Sequence, residues 1–368
     1  MKGLILSGGA GTRLRPITHT SAKQLVPIAN KPILFYGIEA MVEAGIKEVG
    51  IVVGETAPEI RAAVGDGSAW GIVVSYIEQE APLGLAHAVL ISEPFLGQED
   101  FVMYLGDNLL RQGIKDFVEN FEADRVATLS PTLEGTGESA AAQILLARVP
   151  DPHRFGVAEL GSAGEVIRLV EKPTDPPSDL ALVGVYLFDP TIHEAVRSIQ
   201  PSARGELEIT DAIQWLIDHG HRVRQEVLDG YWKDTGTLEA LLEGNRLVLE
   251  AMESRVDGSV DESSRLEGRV VIERGASVVR SIIRGPAIIG CNSRIEDSFI
   301  GPFTAVDHDC EILGTDLEHS VVWSNSSIHH GGRIVDSLLG REVEVRRAAG
   351  RPVATRLMLG DHSRVELA

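Results

Sequence analysis

The chain has 368 residues, a length that accommodates two domains, and its 43% hydrophobic and 24% charged residues are ordinary for a folded globular protein. Its formal net charge of −20 argues against nucleic-acid binding, which needs a basic face to displace counterions from phosphates. A nucleotide site is compatible with this charge, because a few local cations and a metal ion override the overall field inside a cleft.

The cysteine content and the apolar runs of the sequence indicate the cellular compartment in which we expect the protein. Cys291 and Cys310 are the only cysteines and show no CxxC spacing, so neither a disulfide framework nor a zinc site is indicated. The apolar run after Met1 is too short for a signal peptide, and no later run approaches the roughly 20 residues of a membrane span. We therefore expect a cytoplasmic protein that does not associate with membranes.

The first 32 residues carry the most specific pattern of the chain. Residues 2–7 form a short apolar run that predicts a buried parallel strand, and it leads into the glycines Gly8, Gly9 and Gly11. Because glycine has no Cβ, backbone N–H groups in such a loop can approach an anionic ligand closely. Thr12, Arg13 and Lys23 then add a hydroxyl, a guanidinium group and an ammonium group, which together suit a polyphosphate.

Two familiar glycine motifs fit this loop poorly. A P-loop requires a Lys after the second motif glycine, and here Gly8 and Gly9 lead to Arg13 and Leu14 instead. A dinucleotide fingerprint requires a third glycine, and Leu14 occupies its place. The loop therefore belongs to another kind of phosphate site.

The following residues alternate between strand and helix patterns. The predicted elements are a helix from Ile33 that stops at Gly45, strands at 49–53, 73–77 and 101–105, and a helix at 57–64. Such alternation predicts βαβ units on a parallel sheet, with ligands at the carboxyl ends of the strands.

Three residues near these predicted strand ends are candidates for ligand contact. Gln79 carries a donor and acceptors on one amide, which suits the edge of a pyrimidine, and Gly84 lets a helix start close beneath a flat ring. An ordinary loop before a helix is the alternative, and we interpret His87 as a surface residue of that helix. Asp107 follows a predicted strand and suits a hard cation, although an aspartate that caps the next helix fits as well.

From about Val126 the pattern changes to shorter predicted strands, which we expect to form the sugar-binding half. These strands lie at 127–130, 143–149, 156–160, 166–171 and 181–188. Lys172 is a cation suited to a sugar phosphate, and Glu171 can accept hydrogen bonds from hydroxyls, although surface Glu/Lys pairs are common. Glu208 suits a sugar contact or, equally, the start of a helix.

Several motifs resemble those of the sugar-nucleotide pyrophosphorylases, which join a sugar 1-phosphate to a nucleoside triphosphate. They are GGAGTRLRPIT, KQLVPIANKP, the Gln-x-x-Pro-x-Gly-Leu-Ala segment from Gln79, FGV at Phe155, EKP at Glu171, LVGVY around Gly184 and WKDTG at Trp232. Within that family they are most similar to the long form of the glucose-1-phosphate thymidylyltransferases. The resemblance implies a Rossmann-like mixed α/β sheet of the GT-A-like nucleotidyltransferase type.

The resemblance also implies roles for individual residues. The implied catalytic residues are Arg13, Lys23, Asp107, Lys172 and Asp234, and the implied ligands of Mg²⁺ are Asp107 and Asp234. The implied nucleotide-binding residues are Leu6, Gly8, Gly9, Gly11, Thr12, Arg13, Gln24, Gln79 and Gly84. The implied sugar-phosphate residues are Gly156, Glu171, Lys172, Gly184 and Glu208.

The C-terminal third has a different sequence periodicity. A helix pattern over 237–254 has Thr237 as a plausible N-cap, and aliphatic residues then recur every six positions, beginning with Val260, Leu266 and Ile272. This hexapeptide repeat predicts a left-handed parallel β-helix, whose coils stack their aliphatic corners. We predict a catalytic domain at 1–236, a connecting helix at 237–256 and the β-helix at 257–368.

The predicted β-helix admits two roles. Some β-helices are acyltransferases, but the histidines that could serve here are of a kind that is usually solvated on repeat turns: His308, His319, His329 and His330. We expect instead that the repeat packs protomers into a homo-oligomer or buttresses the catalytic half.

The expected reaction is Mg²⁺-dependent, with dTTP and α-D-glucose 1-phosphate as substrates and dTDP-glucose and pyrophosphate as products. Two alternatives remain open at this point. One keeps the chemistry with UTP or another sugar 1-phosphate, and the other is a non-catalytic regulatory subunit that senses sugar nucleotides.

Overall fold

The computed structural model describes residues 1–9, 11–19, 21–129, 139–228, 230, 232–348 and 355–367. They form two compact units, one of Met1–Ala10 with Leu34–Lys233 and one of Gly11–Ile33 with Asp234–Ala368. Within the described ranges no helix is both long enough and apolar enough to cross a bilayer.

The residues up to 251 contain all the helices and the first thirteen strands that the described chain forms. The helices are α1 (Ile33–Glu43), α2 (Ala57–Val64), α3 (Leu85–Leu96), α4 (Lys115–Leu129), α5 (Ile192–Ser198), α6 (Ile209–Asp218) and α7 (Leu238–Ala251). The strands are β1 (Lys2–Ser7), β2 (Pro27–Ile28), β3 (Lys31–Pro32), β4 (Glu48–Val53), β5 (Val73–Glu78), β6 (Phe101–Leu105), β7 (Asn108–Leu110), β8 (Ala142–Arg148), β9 (Gly156–Leu160), β10 (Val166–Glu171), β11 (Leu180–Phe188), β12 (Val223–Val227) and β13 (Trp232–Asp234).

The first unit is built on a mixed sheet with the order β10-β9-β11-β6-β1-β4-β5, to which β8 and β12 add beside β11. Strand β1 runs parallel to β4 and β6, whereas β11 runs antiparallel to β6. The Rossmann-like mixed sheet predicted from the sequence is therefore confirmed. Because Leu6 of β1 pairs with Leu105 of β6, the loops that follow these strands leave the sheet at the same edge.

The central strands are apolar on both faces. All nine residues of β11 are buried, as are the last five residues of β1 and of β4. Continuous burial of this kind indicates a sheet covered on both sides, as the βαβ pattern predicts. The sheet therefore gives a rigid base to the loops at its edge.

One predicted element is wrong. Residues 127–129 belong to the end of α4 rather than to a strand, and residue 130 lies outside the described residues. The physical reason is that a short apolar run has no decisive period, so it fits the last turn of a helix as well as a strand. The alternative interpretation of Asp107 as a helix cap also fails, because β7 rather than a helix follows it.

The second unit contains α7 and a stack of parallel strands. The side chain of Thr237 accepts a hydrogen bond from the N–H of Ala240, which confirms the predicted N-cap. The strands are β14 (Arg255–Val256), β15 (Ser259–Val260), β16 (Arg265–Glu267), β17 (Val270–Ile272), β18 (Ser277–Val279), β19 (Ile282–Arg284), β20 (Ala287–Ile289), β21 (Arg294–Glu296), β22 (Phe299–Ile300), β23 (Thr304–Val306), β24 (Glu311–Glu318), β25 (Val321–Val322), β26 (Ser327–Val335), β27 (Leu338–Leu339) and β28 (Glu344–Arg346).

These strands form a parallel β-helix with an aliphatic interior. Val278 pairs with Ile295, and Ile295 pairs in turn with Ile312 on the next coil. All three side chains are fully buried. Aliphatic residues at the six-residue spacing therefore stack along the interior, as the repeat predicted.

Serines close the turns of the β-helix. The Ser281 hydroxyl accepts a hydrogen bond from the N–H of Ser298, 3.1 Å away, and the Ser320 hydroxyl accepts one from the N–H of Ser337 at 3.0 Å. Turn N–H groups that the strand ladders leave unpaired thus find acceptors on the neighbouring coil. Ser281, Ser298, Ser320 and Ser337 each stand directly before a strand, where this hydroxyl contact forms between coils.

Adjacent isoleucines on β19 offer a matched test of the β-helix core. Ile283 is fully buried between coils, whereas its neighbour Ile282 is 38% exposed. We predict that Ile283→Ala lowers the free energy of unfolding by about 2–5 kcal/mol, because it leaves a cavity that the stack cannot close. Ile282→Ala should cost less than about 1 kcal/mol. Urea unfolding of both variants checks this, and equal losses would contradict the assigned interior.

Candidate functional site

Residues 11–32, which we call the signature segment, belong to the second unit. The described residues at the start of this segment fold tightly onto each other. Gly11 has φ +60°, and a Cβ on it would lie 2.9 Å from Cβ of Lys23. The hydroxyl of Thr18 donates a hydrogen bond to the Gly11 carbonyl at 2.6 Å. Any larger residue at 11 would therefore push Lys23 away, while Thr12 and Arg13 stay exposed in the following turn.

Asp234 holds both cations of the signature segment. Its carboxylate lies 3.7 Å from the ammonium of Lys23 and 3.8 Å from the guanidinium of Arg13. The Lys23 side chain is only 8% exposed, so its charge depends on partners such as this carboxylate. Predicted residues that lie more than 200 positions apart in sequence thus form one charged cluster, which we call the Asp234 cluster (Arg13, Lys23, Asp234).

Gly236 explains why a glycine ends the WKDTG motif. A Cβ at this position would lie 3.0 Å from Nη2 of Arg13 and 3.0 Å from Oδ1 of Asp234. Both of these atoms belong to the Asp234 cluster. Glycine therefore leaves the space that the cation and the carboxylate need to approach each other.

Another predicted residue of the segment, Gln24, is buried with an unused acceptor. Its side chain is 2% exposed, and its Oε1 has no hydrogen-bond partner among the described residues. A buried amide oxygen without a donor is costly, so its position suits a ligand or water that donates a hydrogen bond.

The rest of the signature segment is anchored on α7 and the β-helix. Strands β2 and β3 form a hairpin whose two loop residues, Ala29 and Asn30, both have positive φ. The side chain of Asn245 on α7 accepts from the Ala29 N–H at 2.9 Å and donates to the Phe303 carbonyl at 3.0 Å. Asn30 donates to the carbonyl of Val306 at 2.8 Å. Sequence analysis gave no role to Asn245, although a fully buried polar side chain in a helix requires such partners.

In the first unit, Gly8 and Gln79 meet at the edge of the sheet. A Cβ on Gly8 would lie 3.3 Å from Oε1 of Gln79, so the glycine lets the amide approach the loop. The amide nitrogen of Gln79 lies 3.3 Å from the carbonyl of Gly84 and 3.0 Å from Nδ1 of His87. His87 therefore contacts a predicted nucleotide residue, which its helical position alone did not reveal. Gly9 is exposed, and Leu6 is buried in β1.

Gly84 joins this amide to the segment that precedes α6. It has φ +106°, and a Cβ would lie 2.2 Å from the carbonyl oxygen of Leu207. The N–H of Leu207 donates to Leu83 at 2.8 Å, and its carbonyl accepts from Ala86 at 3.0 Å. Because Glu208 follows Leu207 directly, the predicted base and sugar segments share one piece of backbone.

Asn108 organises the surroundings of Asp107. Its Nδ2 donates to Oδ1 of Asp107 at 3.1 Å, and its Oδ1 accepts a hydrogen bond from the indole N–H of Trp232. A Cβ on Gly184 (φ +81°) would lie 3.1 Å from Nδ2 of Asn108, so only glycine fits there. Residues 106–108 (Gly-Asp-Asn) and the LVGVY and WKDTG motifs therefore meet at the amide of Asn108, whose place after Asp107 was the only hint in the sequence.

The residue types of the predicted metal site suit a hard divalent cation. Asp107 lies half-buried just after β6, and the Asp234 side chain is 21% exposed, so both offer carboxylate oxygens. Mg²⁺ prefers oxygen ligands and is usually bound by one or two carboxylates together with substrate phosphates and water. The donor set therefore fits Mg²⁺.

Three of the predicted sugar residues, Gly156, Lys172 and Glu208, lie close to Glu171, whereas Gly184 lies against Leu105 and Asn108. Its carboxylate lies 3.5 Å from the ammonium of Lys172 and accepts a hydrogen bond from the Thr210 hydroxyl at 3.4 Å. A Cβ on Gly156 would lie 2.7 Å from Cγ2 of Thr210 and 3.1 Å from Oε2 of Glu171. Gly156 therefore makes room for Glu171, and Lys172, which is more exposed, is accessible to a ligand.

Arg204 is the residue of this region that sequence analysis missed. It donates to Oε2 of Glu208 at 3.1 Å and to Glu206 at 2.8 Å, and it lies 3.9 Å from Glu171. Glu208 is 4% exposed, so a cation at this place compensates a buried carboxylate. The signal in the sequence that could have identified Arg204 is its place two residues before Glu206, near a Glu-rich helix start.

Burial changes the acidity of two carboxyls here. It raises the pKa of Glu171 above its ordinary value, and the Glu208 carboxylate adds to the rise, while Lys172 and Arg204 lower it. Burial and Glu208 likewise raise the pKa of Asp211. The carboxylates of Glu171 and Glu208 share the guanidinium of Arg204, and a ligand that brings hydroxyl groups would add hydrogen-bond donors for them.

The sequence that builds these clusters matches a known family. A model of the nucleotidyl transferase family matches residues 2–251, which is more than half of the chain. The chain belongs to the nucleotidyl transferase family. This confirms the resemblance that the sequence motifs indicated, and with it the assignment as an enzyme of the nucleotidyltransferase class.

Individual relatives extend the similarity beyond that match. A glucose-1-phosphate thymidylyltransferase of Streptomyces griseus is 57% identical over 367 residues, which cover 100% of this chain and 99% of the relative. A Haloferax volcanii nucleotidyltransferase of low-salt glycan biosynthesis is 44% identical, with full coverage of both chains. A Bacillus anthracis structure, described as a glucose-1-phosphate thymidylyltransferase with sucrose, is 32% identical with a TM-score of 0.61, covering 69% of this chain and 98% of that chain.

The glycines at the two ends of α3 provide a matched test of the shared backbone. Both have positive φ, but a Cβ would collide with Leu207 at Gly84 and meets open space at Gly97. We predict that Gly97→Ala costs about 1–3 kcal/mol of stability through backbone strain. Gly84→Ala should cost at least about 1 kcal/mol more, because the backbone must also move. Denaturant unfolding measures both, and equal costs would refute the close approach to Leu207.

The raised pKa of Glu171 predicts a pH-dependent stability. A carboxyl whose pKa is higher in the folded state stabilises the fold below its unfolded pKa, and this contribution is lost as the pH rises through the folded pKa. Glu171→Gln removes the titration while keeping the shape, so its free energy of unfolding should fall less with rising pH than that of the wild type. Part of the decrease in the free energy of unfolding with rising pH should remain in the variant, because the pKa of Asp211 is raised as well. Urea unfolding at several pH values from about 4 upward tests this, and parallel curves would contradict it.

Proposed function

We propose that the protein is a glucose-1-phosphate thymidylyltransferase, which makes dTDP-glucose and pyrophosphate from dTTP and α-D-glucose 1-phosphate. The single observation that carries the proposal is the 57% identity to the Streptomyces griseus enzyme along the whole of both chains. The Asp234 cluster supports it, because a phosphate-binding segment needs cations that are already in place.

The proposed reaction is an in-line displacement. A phosphate oxygen of the sugar 1-phosphate forms a bond to the α-phosphorus of dTTP, and the bond from that phosphorus to the β-phosphate bridging oxygen breaks, so that pyrophosphate leaves. The attacking oxygen is already anionic, so no protein nucleophile is required. Catalysis then depends on positioning and on the stabilisation of charge.

We assign the charged residues to the phosphates. Arg13 stabilises the leaving pyrophosphate, Lys23 binds the triphosphate, and Lys172 binds the phosphate of the sugar. Asp107 and Asp234 would hold Mg²⁺, which would supply compensation of the charge on the phosphates. Each of these side chains is partly exposed except Lys23, whose contact with Asp234 keeps its charge compensated before the substrate arrives.

The polar and glycine positions are assigned to substrate recognition. Gln79 and Gly84 contact the pyrimidine, and the buried Gln24 with its unused Oε1 assists at the nucleoside. The loop residues Gly8, Gly9, Gly11 and Thr12 pack around the triphosphate, next to Leu6. Glu171 and Glu208 accept hydrogen bonds from sugar hydroxyls, where Gly156 and Gly184 leave room.

We also propose the organisation that the sequence predicted, with a catalytic domain at 1–236, a connecting helix at 237–256 and a β-helix at 257–368. The hydrogen bonds of Asn245 support a buttressing role for this region, because they tie the signature hairpin to α7 and to a coil of the β-helix. The protein is further proposed to be a cytoplasmic homo-oligomer.

Pyrophosphate release is the direct test of this function. With glucose 1-phosphate and Mg²⁺, we predict faster release from dTTP than from UTP, and release should stop when EDTA removes the metal. Asp107→Asn should lower the rate about 100-fold or more, because it removes a charged ligand from the site. The exposed Asp116→Asn is the matched control and should retain the wild-type rate.

A chain that binds dTTP but releases no pyrophosphate would refute catalysis and favour a regulatory subunit. Faster release from UTP, or turnover with another sugar 1-phosphate alone, would refute the assigned substrates while leaving the reaction class intact.

A further inference from the structure

We infer that His87 fixes the orientation of the Gln79 amide and thereby selects a nucleobase that carries an N–H donor at N3. The inference rests on the proposed function, because it assumes that Gln79 contacts the base. His87 touches Gln79 rather than the substrate, so its role is that of a positioning residue.

The carbonyl of Gly84 decides which way the amide points. It lies 3.3 Å from the Gln79 nitrogen, and a carbonyl can only accept, so the atom that faces it must be the N–H₂ group. If the amide were rotated by half a turn, two oxygen atoms would face each other at this distance. The Gly84 carbonyl is itself fixed, because the neighbouring backbone is paired with Leu207.

The same amide nitrogen then determines the state of His87. Its second N–H points to Nδ1 of His87, which lies 3.0 Å away and must therefore accept. A histidine that accepts at Nδ1 is neutral and carries its proton on Nε2. Gly84 and His87 are three residues apart at the start of α3, so the helix presents both acceptors on one face.

With both N–H bonds of the amide engaged, Gln79 has only its Oε1 to offer. This oxygen lies against Gly8, which has no side chain to cover it, and Gln79 remains half-buried rather than enclosed. The amide therefore presents an acceptor without an accompanying donor. Thymine and uracil have an N–H at N3 that can donate to it, whereas N3 of cytosine is itself an acceptor and would be repelled.

Three variants distinguish a positioning role of His87 from a purely structural one. His87→Leu fills similar space but cannot accept a hydrogen bond, so the amide should rotate more freely. We expect its preference for dTTP over dCTP, measured as the ratio of Kd values by calorimetry, to fall about 10-fold. His87→Gln can accept through its own Oε1 and should keep most of the preference. His221→Leu, outside the assigned site, is the control and should match the wild type.

Pyrophosphate release under the same conditions should show the loss in KM for dTTP rather than in kcat, because His87 does not touch the phosphates. The inference is overturned if His87→Leu keeps the Kd ratio within about twofold of the wild type, if His87→Gln does no better than His87→Leu, or if the wild type shows no preference.

Gln79→Leu distinguishes a failure of the inference from a failure of the base site. If His87→Leu keeps the preference and Gln79→Leu loses it, the base site stands and only the role of His87 falls. If both keep it, the assigned base site falls as well. If the wild type binds dTTP selectively and His87→Leu does not, yet no pyrophosphate is released, the inference holds and the proposed catalysis is wrong.

Discussion

The arrangement of the candidate site depends first on the contact of Asp234 with Lys23 and Arg13. An ammonium group that is 8% exposed requires a compensating charge, and Asp234 provides one at 3.7 Å. The contact ties the glycine-rich segment near the amino terminus to the WKDTG motif more than 200 residues later. Two glycines, Gly11 and Gly236, make it sterically possible, because a Cβ at either position would collide with a cluster member. The two cations are thus already in place for the polyphosphate that we propose as their ligand.

A second constraint acts within the first unit, where the segments that we propose for the base and for the sugar share one stretch of backbone. Leu207 pairs with Leu83 and Ala86, which surround Gly84, and the buried Glu208 follows directly. A displacement on either side would therefore be transmitted to the other. In the second unit, Asn245 plays a comparable part by joining the signature hairpin to α7 and the β-helix. Long-range hydrogen bonds, rather than local propensity, hold the candidate site.

The sequence predicted what local patterns determine. Apolar runs gave β1 and β6, the six-residue period gave the β-helix, and Thr237 gave a helix start. It failed at 127–129, where a short apolar run has no distinguishing period. It also missed Arg204, Asn108 and His87, because their roles arise from partners that are distant in sequence or hidden by an ordinary helical position. A single sequence signals such partners only weakly, since tertiary contacts leave no periodic pattern.

The proposed roles of Asp107 and Asp234 as ligands of one Mg²⁺ are tested most directly by a double-mutant cycle. The affinity for Mg²⁺-dTTP is measured by calorimetry for the wild type, Asp107→Asn, Asp234→Asn and the double variant. Residues that share an ion lose their effect together, so the double variant should bind little more weakly than the weaker single variant, with a coupling of at least about 1 kcal/mol. Losses that simply add would contradict these roles and separate the two carboxylates functionally.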